Sequence, residues 1–141
     1  MHLRHTVRDW MMDLVVFVEP DQTVIEAISL MRRRYINSVI VNKVGPDSSY
    51  GILTTRDISD KIVAVNRNPK DLLVKEVMSS PVITVDQLTS VMDCANIMKT
   101  KRIHHIPVVN ENGNIVGMIS AGDFLLIAEA MGNNFEERSL S

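Results

Sequence analysis

Apolar side chains recur along this chain with two alternating periods. Val24, Ala27, Ile28 and Met31 fall at i, i+3, i+4 and i+7, and Val91, Cys94, Ala95 and Met98 repeat the spacing, which predicts two amphipathic helices with one face in a core. Ile25, Leu30, Met92 and Ile97 widen that stripe, as expected of a helix held between its own sheet and a second element. Thr23 and Ser90 stand at the helix starts, each followed three residues later by an acid, Glu26 or Asp93, the spacing of a capping box. Short β-branched runs precede the helices at Val15–Val18 and Val82–Val85. Hairpins follow, Ser38–Val41 with Tyr50–Thr54 and Ile106–Val109 with Ile115–Ser120. The first hairpin turn carries Gly45, Pro46 and Asp47; the second contains Asn112-Gly113, a strong hairpin signal. The closing helices differ: Ile58, Ile62, Val63 and Val65 form a stripe in one, whereas Phe124–Ala128 is an almost unbroken apolar run.

These elements describe one unit used twice. Val7-Arg8-Asp9-Trp10-Met11 matches Val74-Lys75-Glu76-Val77-Met78 at an offset of 67, and eight identities span the 35 pairs from Val7 to Val41. Chance would give roughly two at average composition. A one-residue deletion in the hairpin turn changes the offset to 66, where Gly51-Ile52-Leu53-Thr54-Thr55-Arg56-Asp57 matches Gly117-Met118-Ile119-Ser120-Ala121-Gly122-Asp123. The expected fold is α+β, two β-α-β-β-α repeats at 7–66 and 74–132 joined by a linker at 67–73, with a polar tail at 133–141. A repeat of ~60 residues buries a poor core alone, so the two should pack about an approximate two-fold axis.

Composition narrows the function classes. The chain has 141 residues, 45% apolar and 23% charged, enough for a sizeable core without a metal or disulfide staple. Cys94 is the single cysteine, and Met1-His2-Leu3-Arg4-His5 is not an apolar signal segment, which points to a reducing, cytoplasmic setting. No apolar run approaches the ~20 residues that span a bilayer. A net charge of −2 and 4% aromatics argue against nucleic acid as a partner.

Taken together, Val-x-x-x-Met before the first strand, His104-His105-Ile106-Pro107-Val108-Val109, and two copies of Gly-apolar-apolar-Ser/Thr-x-x-Asp resemble the paired cystathionine-β-synthase (CBS) domains, also called a Bateman module. The resemblance covers about residues 7 to 131. It implies a regulatory rather than catalytic protein that binds an adenosine-containing ligand (AMP, ADP, ATP, S-adenosylmethionine or sometimes NAD) in clefts between the repeats. Asp57 and Asp123 match the family's ribose-binding acid, and Thr54 and Ser120 its hydroxyl residue. The resemblance further implies that one cleft sets Ile52, Thr54, Arg56 and Asp57 against Ile83, Thr84, His104, His105 and Pro107. The other sets Ser120, Gly122 and Asp123 against Val16, Phe17, Asn37, Ser38 and Ile40. The first has cations for phosphate, so the expectation is one well-equipped site at Asp57 and a weak or differently specific one at Asp123.

The residues permit part of this reading independently. A carboxylate accepts both hydroxyls of a cis-diol, yet Ser/Thr-x-x-Asp is also a capping box that stabilises a helix start with no ligand, and both readings can hold together. Arg32-Arg33-Arg34 and Lys99-Thr100-Lys101-Arg102 close equivalent helices, where cations suit the helix dipole. Adjacent His104 and His105 on an extended segment point to opposite faces and chelate one ion poorly, so no metal is expected. No nucleophile elbow, Walker loop or acid pair at a glycosidase spacing appears, so no catalytic residue is assigned. Met11, Met31, Met78, Met98 and Met118 fall on repeat positions or strands and read as core, as does Cys94. Met131 and the run 124–128 predict a homodimer through the final helices. With no catalytic or membrane domain in the sequence, a regulated partner would act in trans. The alternative is a ligand-free interaction or dimerisation module.

Overall fold

Two short β-branched hairpins, each led by a two-residue parallel strand, organise the molecule into two three-stranded sheets in a mixed α+β fold. The computed structural model describes residues 5–46 and 48–134. They form two compact units, one Val15–Val82, the other joining 5–14 to 83–134.

In the first unit, β1 (Phe17–Val18) runs parallel to β2 (Ser38–Val41), which pairs antiparallel with β3 (Gly51–Thr54). A parallel pair needs a crossover, supplied by α1 (Val24–Arg34). Val24, Ala27 and Met31 of α1 pack onto Val39, Val41 and Leu53. Thr23 and Glu26 close a reciprocal capping box, Thr23 N–H donating to Glu26 Oε1 at 2.9 Å and Glu26 N–H to Thr23 Oγ1 at 3.3 Å. At the other end Tyr35 adopts φ 55°, and Ile36 N–H donates to the Met31 carbonyl at 3.0 Å, satisfying an orphan acceptor beside the three arginines. Then come α2 (Thr55–Ile58), a widened π turn over Ser59–Val63, and α3 (Val74–Val77).

The second unit repeats this with β4 (Val85–Asp86), α4 (Val91–Lys101), β5 (His105–Val109), β6 (Ile115–Ser120) and α5 (Asp123–Asn134). Val18 pairs with Val41 as Val85 does with Val108, and Val39 with Leu53 as Ile106 does with Ile119, so the offsets of 67 and 66 hold on the two sides of the turn. Gly113, at φ 80°, makes the second turn. Cys94 is fully buried in this core with Val7, Met98, Ile106 and Ile119.

Several boundaries differ from expectation. Strand pairing covers Phe17–Val18 of the expected run Val15–Val18 but only Val85 of Val82–Val85, β4 running on to Asp86. Val63 and Val65 are 71% and 57% exposed while Ile62 is buried, because the π turn breaks the 3.6-residue period on which the stripe was read. Ser90 accepts from Asp93 N–H at 3.0 Å without the reciprocal bond, so that cap is half formed. Asn133 and Asn134 of the expected tail belong to α5, and the rest of the tail lies outside the described residues, as do Met1-His2-Leu3-Arg4.

The compact units also cut the chain differently from the sequence repeat. Val74 and Val77 are buried in the first core, where Ile52 and Ser79 exchange two backbone hydrogen bonds at 2.9 Å. Val7 is buried in the second, where Met12 and Met118 exchange two at 2.8 Å. Val7 N–H donates to Thr89 as Val74 N–H does to Gln22, and Val91 N–H to His5 as Val24 N–H does to Leu72. Each Val-x-x-x-Met segment therefore completes the sheet of the repeat it does not belong to in sequence.

Glycine makes this approach possible. A Cβ on Gly51 would meet Met78 Sδ at 2.5 Å and the Ser79 carbonyl at 3.3 Å; one on Gly117 would run into Met11 Sδ and sit 3.0 Å from the Met12 carbonyl. Gly51→Ala and Gly117→Ala should each cost about 1–3 kcal/mol in urea unfolding. Gly45→Ala, with open space around its Cβ, should stay within about 0.5 kcal/mol. Equal midpoints for all three variants would contradict this packing.

Candidate functional site

The end of each third strand turns directly into a helix, and each of the two turns carries one copy of Ser/Thr-x-x-Asp. In the first unit Thr54 is the cap of α2: Asp57 N–H donates to Thr54 Oγ1 at 3.3 Å, and Asp57 Oδ2 accepts from Thr54 N–H at 2.9 Å and Thr54 Oγ at 3.2 Å. The other oxygen, Oδ1, accepts from Lys61 Nζ at 3.0 Å and Ser79 Oγ at 3.3 Å. Lys61 Nζ also donates to the Val77 carbonyl at 2.8 Å, at the C-terminal end of α3. Asp57 is the buried charged residue of the described chain, 8% exposed, and its four acceptor directions are filled.

The other expected residues of this unit lie on or beside its strands and on α2. Ile52, buried on β3, pairs with Ile40 and bridges to Ser79. Arg56 is exposed and meets Asp60 at 3.5 Å, a solvent-screened pair that leaves its guanidinium accessible. Val16 is half-buried, and its carbonyl accepts from Ile40 N–H at 2.9 Å. Phe17 and Tyr50 bring their rings to 6.4 Å, and Lys43 Nζ lies 4.8 Å from the Tyr50 ring centre.

The second unit holds the counterpart with different chemistry. Asp123 Oδ2 accepts from Ser120 N–H at 2.8 Å and Ser120 Oγ at 3.3 Å, while Oδ1 has no hydrogen-bond partner among the described residues. Offset 66 places Ile127, a core residue, where the first unit has Lys61, and Gly122 where it has Arg56. Offset 67 places Met12 where it has Ser79. His105 opens β5 directly opposite Ser120, and His104 is exposed with its carbonyl accepting from Ala121 N–H at 2.9 Å. Pro107, buried, occupies the place of Ile40 and has no N–H to give, so the Ile83 carbonyl receives no bond from β5. Ile83 and the exposed Thr84 consequently stand outside the ladder. Burial and the neighbouring His104 push the His105 pKa below its usual value, with Asp123 opposing. Burial pushes the Cys94 thiol up to about 11, so it stays protonated and is a poor nucleophile.

Sequence reasoning groups Ile52, Thr54, Arg56 and Asp57 and sets His104 and His105 with them rather than with Ser120 and Asp123; in the structure the first four follow one another along a strand end and its turn, and His105 lies opposite Ser120 in the other unit. Sequence reasoning missed Lys61 and Ser79. Lys61 was accessible as an i, i+4 partner of Asp57; Ser79 arrives from a segment 22 residues further on and carries no local signal.

Comparison with known proteins gives a consistent picture. Residues 7–64 and 74–129 each match the model of the CBS domain. An uncharacterized protein of Methanopyrus kandleri is 34% identical over 124 residues, which cover 87% of this chain and 62% of that protein, so the chain spans less than two-thirds of that relative. The CBS domain-containing protein YhcV of Bacillus subtilis is 34% identical over 118 residues, 84% of this chain and 81% of that one. The solved structure of the hexameric CBS-CP12 protein from bloom-forming cyanobacteria matches with a TM-score of 0.82 at 27% identity, covering 97% of this chain and 85% of that one. Among the described residues no helix is long and apolar enough to cross a membrane.

His105 supplies a pH test. Its folded pKa lies below the unfolded value near 6.5, so the unfolded chain takes up the proton first and stability falls as pH drops below about 6.5. Thermal unfolding between pH 7 and 5 should show a smaller loss of Tm in His105→Gln than in the parent chain; identical slopes would contradict the assigned burial.

Proposed function

The chain belongs to the CBS-domain family, a family of regulatory modules, and from that premise we propose that it binds an adenosine-containing ligand whose ribose diol is accepted by the carboxylate of Asp57 or Asp123. AMP, ADP, ATP and S-adenosylmethionine are the ligands of this class. The supporting observation is the twofold Ser/Thr-x-x-Asp turn, in which the cap fixes one carboxylate oxygen and leaves the other for a second partner. The two turns are unequal in charge. Asp57 is followed by Lys61 and preceded by Arg56, both cations, whereas the matching residues at Asp123 are Ile127 and Gly122. A phosphorylated ligand therefore favours Asp57, in the unit whose apolar candidates are Ile52 and Val16; in the other unit His104 and His105 are candidates for phosphate, Thr84, Ser120 and Pro107 polar or close-packing positions, and Ile83 an apolar one. Ligand binding would bias two states of the chain and act on a partner protein through their differential affinity, without catalysis by this chain.

A second reading, an interaction module without a ligand, is favoured by the internally saturated carboxylate of Asp57 and by Leu125 and Leu126 on α5, which are 76% and 58% exposed. Those two residues are also where a homodimer would form. Light scattering at micromolar concentration should give a dimer mass that Leu125→Glu/Leu126→Glu halves; a monomer in both removes the dimer.

A thermal-shift screen with AMP, ADP, ATP, S-adenosylmethionine and NAD separates the two readings. A ligand at a hundred times its Kd stabilises by about 2.7 kcal/mol, on the order of 5–10 °C for a domain of this size. Each variant is read against its own ligand-free Tm, because removing Asp57 opens a capping box and removing Asp123 frees the N–H and hydroxyl of Ser120. Asp57→Ala should abolish most of the AMP shift and Asp123→Ala less of it. No shift with any ligand leaves the interaction module; a shift lost only in Asp123→Ala reverses the ranking.

A further inference from the structure

Nothing in the repeat fold requires Lys61 to sit on Asp57. The second unit builds the same strand, turn and helix around Asp123 with Ile127 and Met12 in place of Lys61 and Ser79, and Oδ1 of its aspartate has no hydrogen-bond partner among the described residues. The first unit instead spends an ammonium and a hydroxyl on that one oxygen, Lys61 Nζ at 3.0 Å and Ser79 Oγ at 3.3 Å, and anchors the ammonium a second time on the Val77 carbonyl at 2.8 Å. Lys61 lies inside the π turn Ser59–Val63, a geometry rare in helices and frequent at functional positions. Because Oδ2 is already committed to Thr54, a ligand diol can reach Asp57 only by taking Oδ1 from Lys61 and Ser79.

Resting on the adenosyl reading above, we infer that Lys61 is a specificity-determining counter-ion. It occupies the acceptor oxygen of Asp57 in the empty protein and yields it only to a ligand that carries an anion as well as a cis-diol. A neutral nucleoside that displaces Lys61 breaks an ion pair on a carboxylate that is only 10% exposed and gives the half-exposed ammonium nothing but water in return, so the energy of the pair is lost. A nucleotide supplies a phosphate for the released ammonium at the moment its ribose takes the carboxylate. Asp57 thus discriminates nucleotide from nucleoside, whereas Asp123, which has no counter-ion among the described residues, does not.

Calorimetric titration of AMP and adenosine into chains carrying Asp123→Asn, so that Asp57 is the acceptor read, tests this. With Lys61 present, AMP should bind at least tenfold tighter than adenosine. Lys61→Met should strengthen adenosine binding several-fold and narrow the ratio; Lys61→Gln serves as the second variant should the methionine chain unfold. The gain for adenosine is decisive, since a lysine that merely contacts phosphate would leave adenosine affinity unchanged. An unchanged adenosine Kd in both Lys61 variants overturns the inference and leaves the adenosyl reading standing. Absence of binding heat with either ligand in every variant, and in the parent chain, overturns the reading and the inference together.

Discussion

Two backbones come close enough to exchange hydrogen bonds at 2.8–2.9 Å only because the third strand of each sheet carries a glycine at the crossing point. Gly51 admits Met78 and Ser79, and Gly117 admits Met11 and Met12. From that approach follow the placement of Val74 and Val77 in one core and of Val7 in the other, and therefore the composition of both compact units. It also reaches the candidate site. Ser79 can meet Asp57 because the bridge to Ile52 holds its segment against β3, two residues before Thr54-x-x-Asp57.

The exchange of segments gives the motif Val-x-x-x-Met a physical meaning. Valine is the core residue and methionine the flexible side chain that lies over the glycine of a strand far off in sequence. Since Val7 bonds to Thr89 and Met12 to Met118, the second unit cannot close until nearly the whole chain is made. Loop closure of that length costs only slowly more with each added residue, so the arrangement slows assembly more than it weakens the product.

Much of this was legible beforehand where the physics is local. The helical periods at Val24–Met31 and Val91–Met98, the Thr23–Glu26 cap, Asn112-Gly113 and the shift of offset in the turn all reappear in the pairing registers, because each depends on residues a few positions apart. The resemblance to CBS pairs rested on such local motifs, and the family match bears it out. What escaped depends on tertiary neighbours: the partner sheet of 7–12 and 74–79, the π turn that exposes Val63, and Ser79 on Asp57. The dual nature of Ser/Thr-x-x-Asp persists in the structure: Thr54 and Asp57 close a full cap, Asp123 holds only the N–H and hydroxyl of Ser120, and the larger difference between the copies lies in residues 61 and 79.

The chain therefore presents one carboxylate engaged by its own cation and one that no cation meets among the described residues, on turns of matching sequence, and that asymmetry is what its function must use or tolerate. A crystal structure of the chain grown with AMP tests this most directly. The account predicts ribose hydroxyls on the Asp57 carboxylate, with the Lys61 ammonium moved from Oδ1 to the phosphate. A nucleotide bound with Lys61 and Ser79 still on Asp57, or held away from both aspartates, would contradict it.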